Sequence, residues 1–212
     1  MAIELRSSRT VAYAASGQTT AAITVPTGVA AEDIIVVAIS RGATGTITAA
    51  SGFDAVSGSP VSDSNRNLNL YWKRATGADT GTYSFSWTTS TSRAAIALCF
   101  SGCVPAGLPF NATTTGSETT ADTTSADVSL STTVANTMLI WANTRAVAVT
   151  ASTLTGFTKP LDGQQLGVQY KLQSGVGSTG TLSATFTGSS TNGNATFLLA
   201  LTPQTTDFFR FF

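Results

Sequence analysis

Thr82-Tyr83-Ser84-Phe85-Ser86-Trp87-Thr88 is the stretch that decides the fold class. In an extended strand, successive side chains point to opposite faces. Tyr83, Phe85 and Trp87 therefore share one face and the hydroxyls share the other. The neighbouring stretches agree. Leu68-Asn69-Leu70-Tyr71-Trp72 starts with the same alternation, while Ile34-Ile35-Val36-Val37-Ala38-Ile39 is an unbroken apolar run, suited to a strand covered on both faces. Gly, Asn and Ser clusters punctuate these runs as turns. No helix longer than a turn or two is expected.

The order of features repeats along the chain. Ile34-Ile35-Val36-Val37-Ala38 corresponds to Met138-Leu139-Ile140-Trp141-Ala142, and Ser51-Gly52-Phe53 to Thr155-Gly156-Phe157. Leu70-Tyr71-Trp72-Lys73 corresponds to Val168-Gln169-Tyr170-Lys171, and Gly81-Thr82-Tyr83-Ser84 to Gly180-Thr181-Leu182-Ser183. Each half then closes on an apolar strand, residues 95–100 and 195–201. The fold class expected is all-β: a two-sheet antiparallel β-sandwich, jelly-roll-like, built from two sequence-related halves with about four strands each. The repeats run over residues 24–102 and 129–203. Residues 104–127, rich in Thr, Ser, Gly and Pro, read as a bridge, either a linker or a long surface excursion. Halves of this size are marginal alone. A single domain over residues 1–203 with one shared core is therefore expected over two tandem domains, and residues 204–212 form a tail.

Composition narrows the function. The 212 residues are 42% hydrophobic and 10% charged, well below the usual charge content of about 25%, so the chain is expected to fold rather than remain disordered. Eleven Lys and Arg balance eleven Asp and Glu. With no excess of basic residues to neutralise phosphates, nucleic acid is not an expected partner. A weakly charged surface suits a protein whose working state is an assembly, and a homo-oligomer is expected. Met1-Ala2-Ile3-Glu4-Leu5-Arg6 lacks the pattern of a secretory signal, and no apolar run is long enough to cross a bilayer as a helix. Synthesis in the cytoplasm and no membrane partner are the expectation.

The chain contains no His, which removes Ser-His-Asp and Cys-His catalysis and the commonest transition-metal ligand. Asp79-Thr80-Gly81 spells the aspartic-protease tripeptide, but that chemistry needs a second carboxylate. The corresponding place in the second half reads Ser178-Thr179-Gly180, so Asp79 is expected to cap a turn. Cys99 and Cys103 lack further soft ligands for a metal and read as buried thiols. Whether they pair stays open. The acidic residues are scattered singly, with no calcium-loop spacing. No enzyme activity, cofactor or metal is expected. Tyr71, Trp72, Tyr83, Trp87 and Trp141 read as core, although an exposed subset would make a carbohydrate platform. Asn111-Ala112-Thr113 and Asn194-Ala195-Thr196 fit the glycosylation pattern but mean little without a secretory signal.

The C-terminus is unusual. After Thr202-Pro203-Gln204-Thr205-Thr206 the chain ends Asp207-Phe208-Phe209-Arg210-Phe211-Phe212. Four exposed Phe would be an aggregation liability unless covered. Phe208, Phe209, Arg210, Phe211 and Phe212 are therefore the candidate partner-binding residues, inserting into a neighbouring subunit.

Val25-Pro26-Thr27-Gly28-Val29-Ala30-Ala31-Glu32-Asp33-Ile34-Ile35-Val36 resembles the "P-x-G-V-x-x-G-D-hydrophobic" opening of β-sandwich proteins of tailed bacteriophages. Glu32 stands where that pattern has Gly. Ser51-Gly52-Phe53, Leu70-Tyr71-Trp72-Lys73-Arg74-Ala75, Asp79-Thr80-Gly81-Thr82-Tyr83-Ser84-Phe85 and Phe100-Ser101-Gly102-Cys103 continue it in order. The resemblance covers most of the first half and, more faintly, the closing strand of the second. It implies a non-enzymatic virion structural protein, a capsid-surface decoration or minor capsid protein that binds major capsid or tail proteins. A minor tail or fibre protein is the alternative, as is a module recognising host-surface glycans. No catalytic residue carries over.

Overall fold

A computed structural model describes residues 2–42, 45–63, 65–147, 149–163, 165–190 and 193–205. Among them there is no helix. The strands of the first half are β1 (Glu4–Thr24), β2 (Ile34–Arg41), β3 (Asp54–Ala55), β4 (Val61–Ser62), β5 (Asn67–Arg74) and β6 (Thr82–Ser101). Those of the second are β7 (Phe110–Glu118), β8 (Asp122–Thr124), β9 (Ser131–Thr132), β10 (Thr137–Arg145), β11 (Thr158–Leu161), β12 (Leu166–Gln173), β13 (Gly177–Ser178), β14 (Thr185–Ser190) and β15 (Asn194–Leu201).

The protein is an all-β antiparallel sandwich whose halves do not exchange strands. The first half forms a sheet of order β1-β6-β2-β5-β3, with β4 also on β5. The second forms the order β7-β15-β10-β12-β11, and the two lists correspond strand by strand. Register agrees: Ile34 pairs with Phe100 as Met138 pairs with Leu201, and Leu5 pairs with Phe100 as Phe110 pairs with Leu201. The repeat thus begins earlier than residues 24 and 129. Residues 104–127, expected to bridge the halves, contain edge strand β7 and the short β8. The reason they read as a bridge is physical: an edge strand buries little, and the run Asn111-Ala112-Thr113-Thr114-Thr115-Gly116 has no apolar alternation to reveal it.

Why β2 is apolar on both faces over residues 34–39 is now plain. Ile34, Val36 and Ala38 face the second sheet, where they meet Met138, Ile140, Ala142, Val168, Phe197 and Leu199 in one buried cluster. Ile35, Val37 and Ile39 face outward into a second cluster with Tyr71, Tyr83, Phe85, Trp87 and Cys99. That outer cluster exists because β1 and β6 are long. Their far ends pair from Gln18↔Thr91 to Thr24↔Thr82 after several register shifts, and this ribbon bends back over its own sheet. In the second half the cover is made of shorter pieces, β8 with β14 and β9 with β13, and Phe186 of β14 packs with Leu139, Trp141 and Leu198 of the sheet.

Corresponding residues meet where the sheets face each other. Ser40 and Thr144, one residue before the two corresponding arginines, share a hydrogen bond of 2.5 Å across the interface. Equivalent positions touching in this way mark an approximate two-fold axis between the halves. Arg66 reaches the same spot, its Nε donating to Ser40 Oγ at 3.3 Å.

Candidate functional site

The residues singled out by sequence go mostly into structure. Tyr71, Trp72, Tyr83, Trp87 and Trp141 are all buried, so they form no exposed platform. Asp79 binds its own neighbourhood: it accepts the Thr76 N–H at 2.9 Å, the Tyr83 hydroxyl at 3.1 Å and the Lys73 ammonium at 2.5 Å. Burial pushes the Asp79 carboxyl up, but Lys73, Thr76 and Tyr83 together outweigh it and hold it below its usual range. Cys99 and Cys103 are free thiols in different layers, Cys99 in the outer cluster and Cys103 between the sheets. Burial pushes both up to about 12. Asn194 is fully buried, donating to Glu118 and accepting from Ala126 and Asn143, which leaves no room for a glycan there. Phe208, Phe209, Arg210, Phe211 and Phe212 lie outside the described residues. No group of three or more His, Cys, Asp or Glu gathers among the described residues as a metal site would require.

Sequence reasoning missed a cleft of about 590 Å³ on the outer side of the first sheet. Its floor is the outward face of β5, which alternates: Leu68, Leu70 and Trp72 turn to the shared core, while Asn67, Asn69 and Tyr71 turn to the cleft. One wall is the segment carrying Thr46, Ile47 and Ala49, and the other is the connection from β3 to β5 with Ser59, Pro60 and Ser62. Phe53 closes one end, its ring packed edge-on against Tyr83 and Phe85.

The polar groups of this cleft are unevenly satisfied. Asn67 accepts the Ser62 hydroxyl at 2.5 Å. The Tyr71 hydroxyl reaches the Ile47 carbonyl at 3.5 Å. Asn69 is 2% exposed, and its Nδ2 has no hydrogen-bond partner among the described residues. A buried amide in that state costs roughly 1–3 kcal/mol. Beside the cleft, on the neighbouring strand β2, lies Arg41, 1% exposed, which donates to the carbonyl of the cleft residue Gly45 and sits 5.7 Å from the centre of the Trp87 ring. Its Nε is likewise unpartnered among the described residues. Asp54 stands exposed at the rim.

Comparison of the chain with protein-family models, with curated proteins and with solved structures gave no match.

Proposed function

We propose that the protein is a non-enzymatic structural component of a tailed-phage virion, acting as a capsid-surface decoration or minor capsid protein that binds and stabilises the particle. The observation that carries this reading is how the buried carboxylates are used. Asp33 accepts Arg6 Nε at 2.7 Å and the Ala30 N–H at 2.8 Å. Asp63 accepts the N–H groups of Asn65 and Arg66, both at 2.6 Å. Asp79 and Asp162 each accept a lysine and a backbone N–H. Apart from Asp63 Oδ2, buried with no partner among the described residues, these carboxylates are occupied in holding turns in shape, as a scaffold requires. The resemblance of residues 25–36 and the motifs after them to phage β-sandwich proteins supplies the virion. A location on the tail or a fibre is the alternative within the same class.

Quantitative mass spectrometry of purified particles of a phage encoding the chain tests the proposal. Hundreds of copies per particle are expected for capsid decoration, a handful would move the protein to the tail, and absence from particles would overturn the reading. The Phe-rich end has its own test. Removing residues 207–212 is expected to leave a folded protein that no longer joins the particle, and normal incorporation would sink that role.

A further inference from the structure

The two halves offer an internal comparison that bears on the cleft. Arg145 of the second half corresponds to Arg41 of the first, and the two share their setting. Arg145 lies 5.3 Å from the Phe186 ring and donates to the Val149 carbonyl at 2.7 Å, as Arg41 lies against Trp87 and donates to Gly45. Arg145, however, has a carboxylate. Asp162 accepts its Nη2 at 2.7 Å, along with Lys159 Nζ and the N–H groups of Ala151 and Gly163.

That pair occupies a definite place. Gly167 corresponds to Asn69, and a Cβ at Gly167 would lie 2.9 Å from Arg145 Nη1 and 3.4 Å from Asp162 Oδ1. In the second half the space over the strand is therefore filled by the protein's own carboxylate. In the first half the chain takes a longer route between corresponding strands, residues 56–66 against 162–165, and among the described residues no carboxylate pairs with Arg41, Asp63 on that route accepting the N–H groups of Asn65 and Arg66 instead. What stands there instead is the cleft, with Asn69 Nδ2 at its floor and Arg41 Nε beside it both unpartnered among the described residues.

We propose that the cleft binds an acidic sugar, its carboxylate held toward Asn69 and the charge of Arg41 where Asp162 lies in the other half. Ligand size agrees, since small-molecule sites run from about 300 to 1,000 Å³. So does the lining. The apolar edges of Phe53, Ile47 and Tyr71 suit the face of a pyranose ring, while Asn67, Ser59, Ser62 and Thr46 offer amide and hydroxyl partners for its hydroxyl groups. Among the described residues lining the cleft Asp54 is the one acid, and its exposure leaves its repulsion screened by solvent. The proposal is independent of where on a particle the protein sits.

Titration of the intact protein with glucuronate and with neutral methyl glucoside, followed by backbone amide NMR, tests it. Saturable shifts at Asn67, Asn69 and Tyr71 are expected, with glucuronate binding about tenfold more tightly, the worth of one charge-assisted hydrogen bond. Asn69→Asp supplies the missing carboxylate internally and is expected to weaken glucuronate about tenfold or more while leaving the protein folded. Asp54→Asn, at an exposed rim position, is expected to tighten it about twofold by removing a like charge. Equal binding of the two sugars, acetate matching glucuronate, shifts centred elsewhere, no saturable shifts, or full binding by Asn69→Asp would each overturn the proposal.

Discussion

Arg41 and Arg145 occupy the same position in the two halves, yet among the described residues only Arg145 has a carboxylate against it. This makes their substitutions predictably unequal. Asp162→Ala strips the partner from a fully buried cation and is expected to cost about 3–5 kcal/mol in urea unfolding. Arg41→Met removes a buried charge that has no carboxylate to lose, so stability is expected to stay level or rise by about 1–2 kcal/mol. A similar loss at both positions would contradict the description of Arg41. Acid provides a second test at this scale. Burial pushes the Asp162 carboxyl up, but Lys159, the Ala151 N–H and Arg145 outweigh it, so both Asp79 and Asp162 are depressed from the usual value of 3.8. A depressed carboxyl contributes stability that is complete above its unfolded value and is lost as pH falls through its folded value. Stability is therefore expected to fall on going from pH 5 toward pH 2, with a shallower fall in Asp162→Asn. Asp63, raised by burial, acts in the opposite direction and moderates the slope.

Among the elements, the long ribbon of β1 and β6 depends on small residues at its crossings. Gly102, just past β6, has φ +76°, and a Cβ there would stand 2.4 Å from the Ala2 carbonyl oxygen. Gly102→Ala combines an unfavourable backbone conformation with a clash against main chain. It is expected to destabilise by about 1–3 kcal/mol in thermal unfolding and to loosen the pairing of Glu4 with Ser101. Elements were not equally legible in sequence. β2, β10 and β15 were plain because all their residues are buried, and a strand covered on both faces carries an apolar run, here residues 34–39, 138–142 and 197–201. β7 was not, because hydrogen bonds to β15 hold it while its side chains stay half-exposed, and main-chain pairing leaves little trace in residue identity. Asp79 was legible as a turn cap because its own backbone supplies the partner. The cleft was not, because Asn69 and Ile47 are joined only by the packing of distant segments.

At the scale of the molecule, the cluster between the sheets draws Ile34, Leu70 and Leu98 from one half and Ile140, Val168 and Leu199 from the other. Neither half can cover that face alone, and an exposed apolar face of this kind would associate or unfold. Unfolding is therefore expected as one cooperative transition. Far-UV circular dichroism and tryptophan fluorescence, from Trp72 and Trp87 in the first half and Trp141 in the second, should give coincident curves. Two separated transitions would show that the halves are energetically independent.

Alternation in residues 82–88, the apolar run at 34–39 and the ordered repeat were enough by themselves to determine that the protein is all-β and made of two related halves. These are local properties, because strand periodicity and turn residues act on the chain within a few positions. Three matters were decided only in three dimensions: that each half keeps its own sheet, that Ser40 meets Thr144 across the axis, and that Arg145 finds Asp162 while Arg41 lies beside a cleft. They depend on which surfaces bury each other, and on a difference of a few residues in one connection, whose length is visible in sequence but whose course is not.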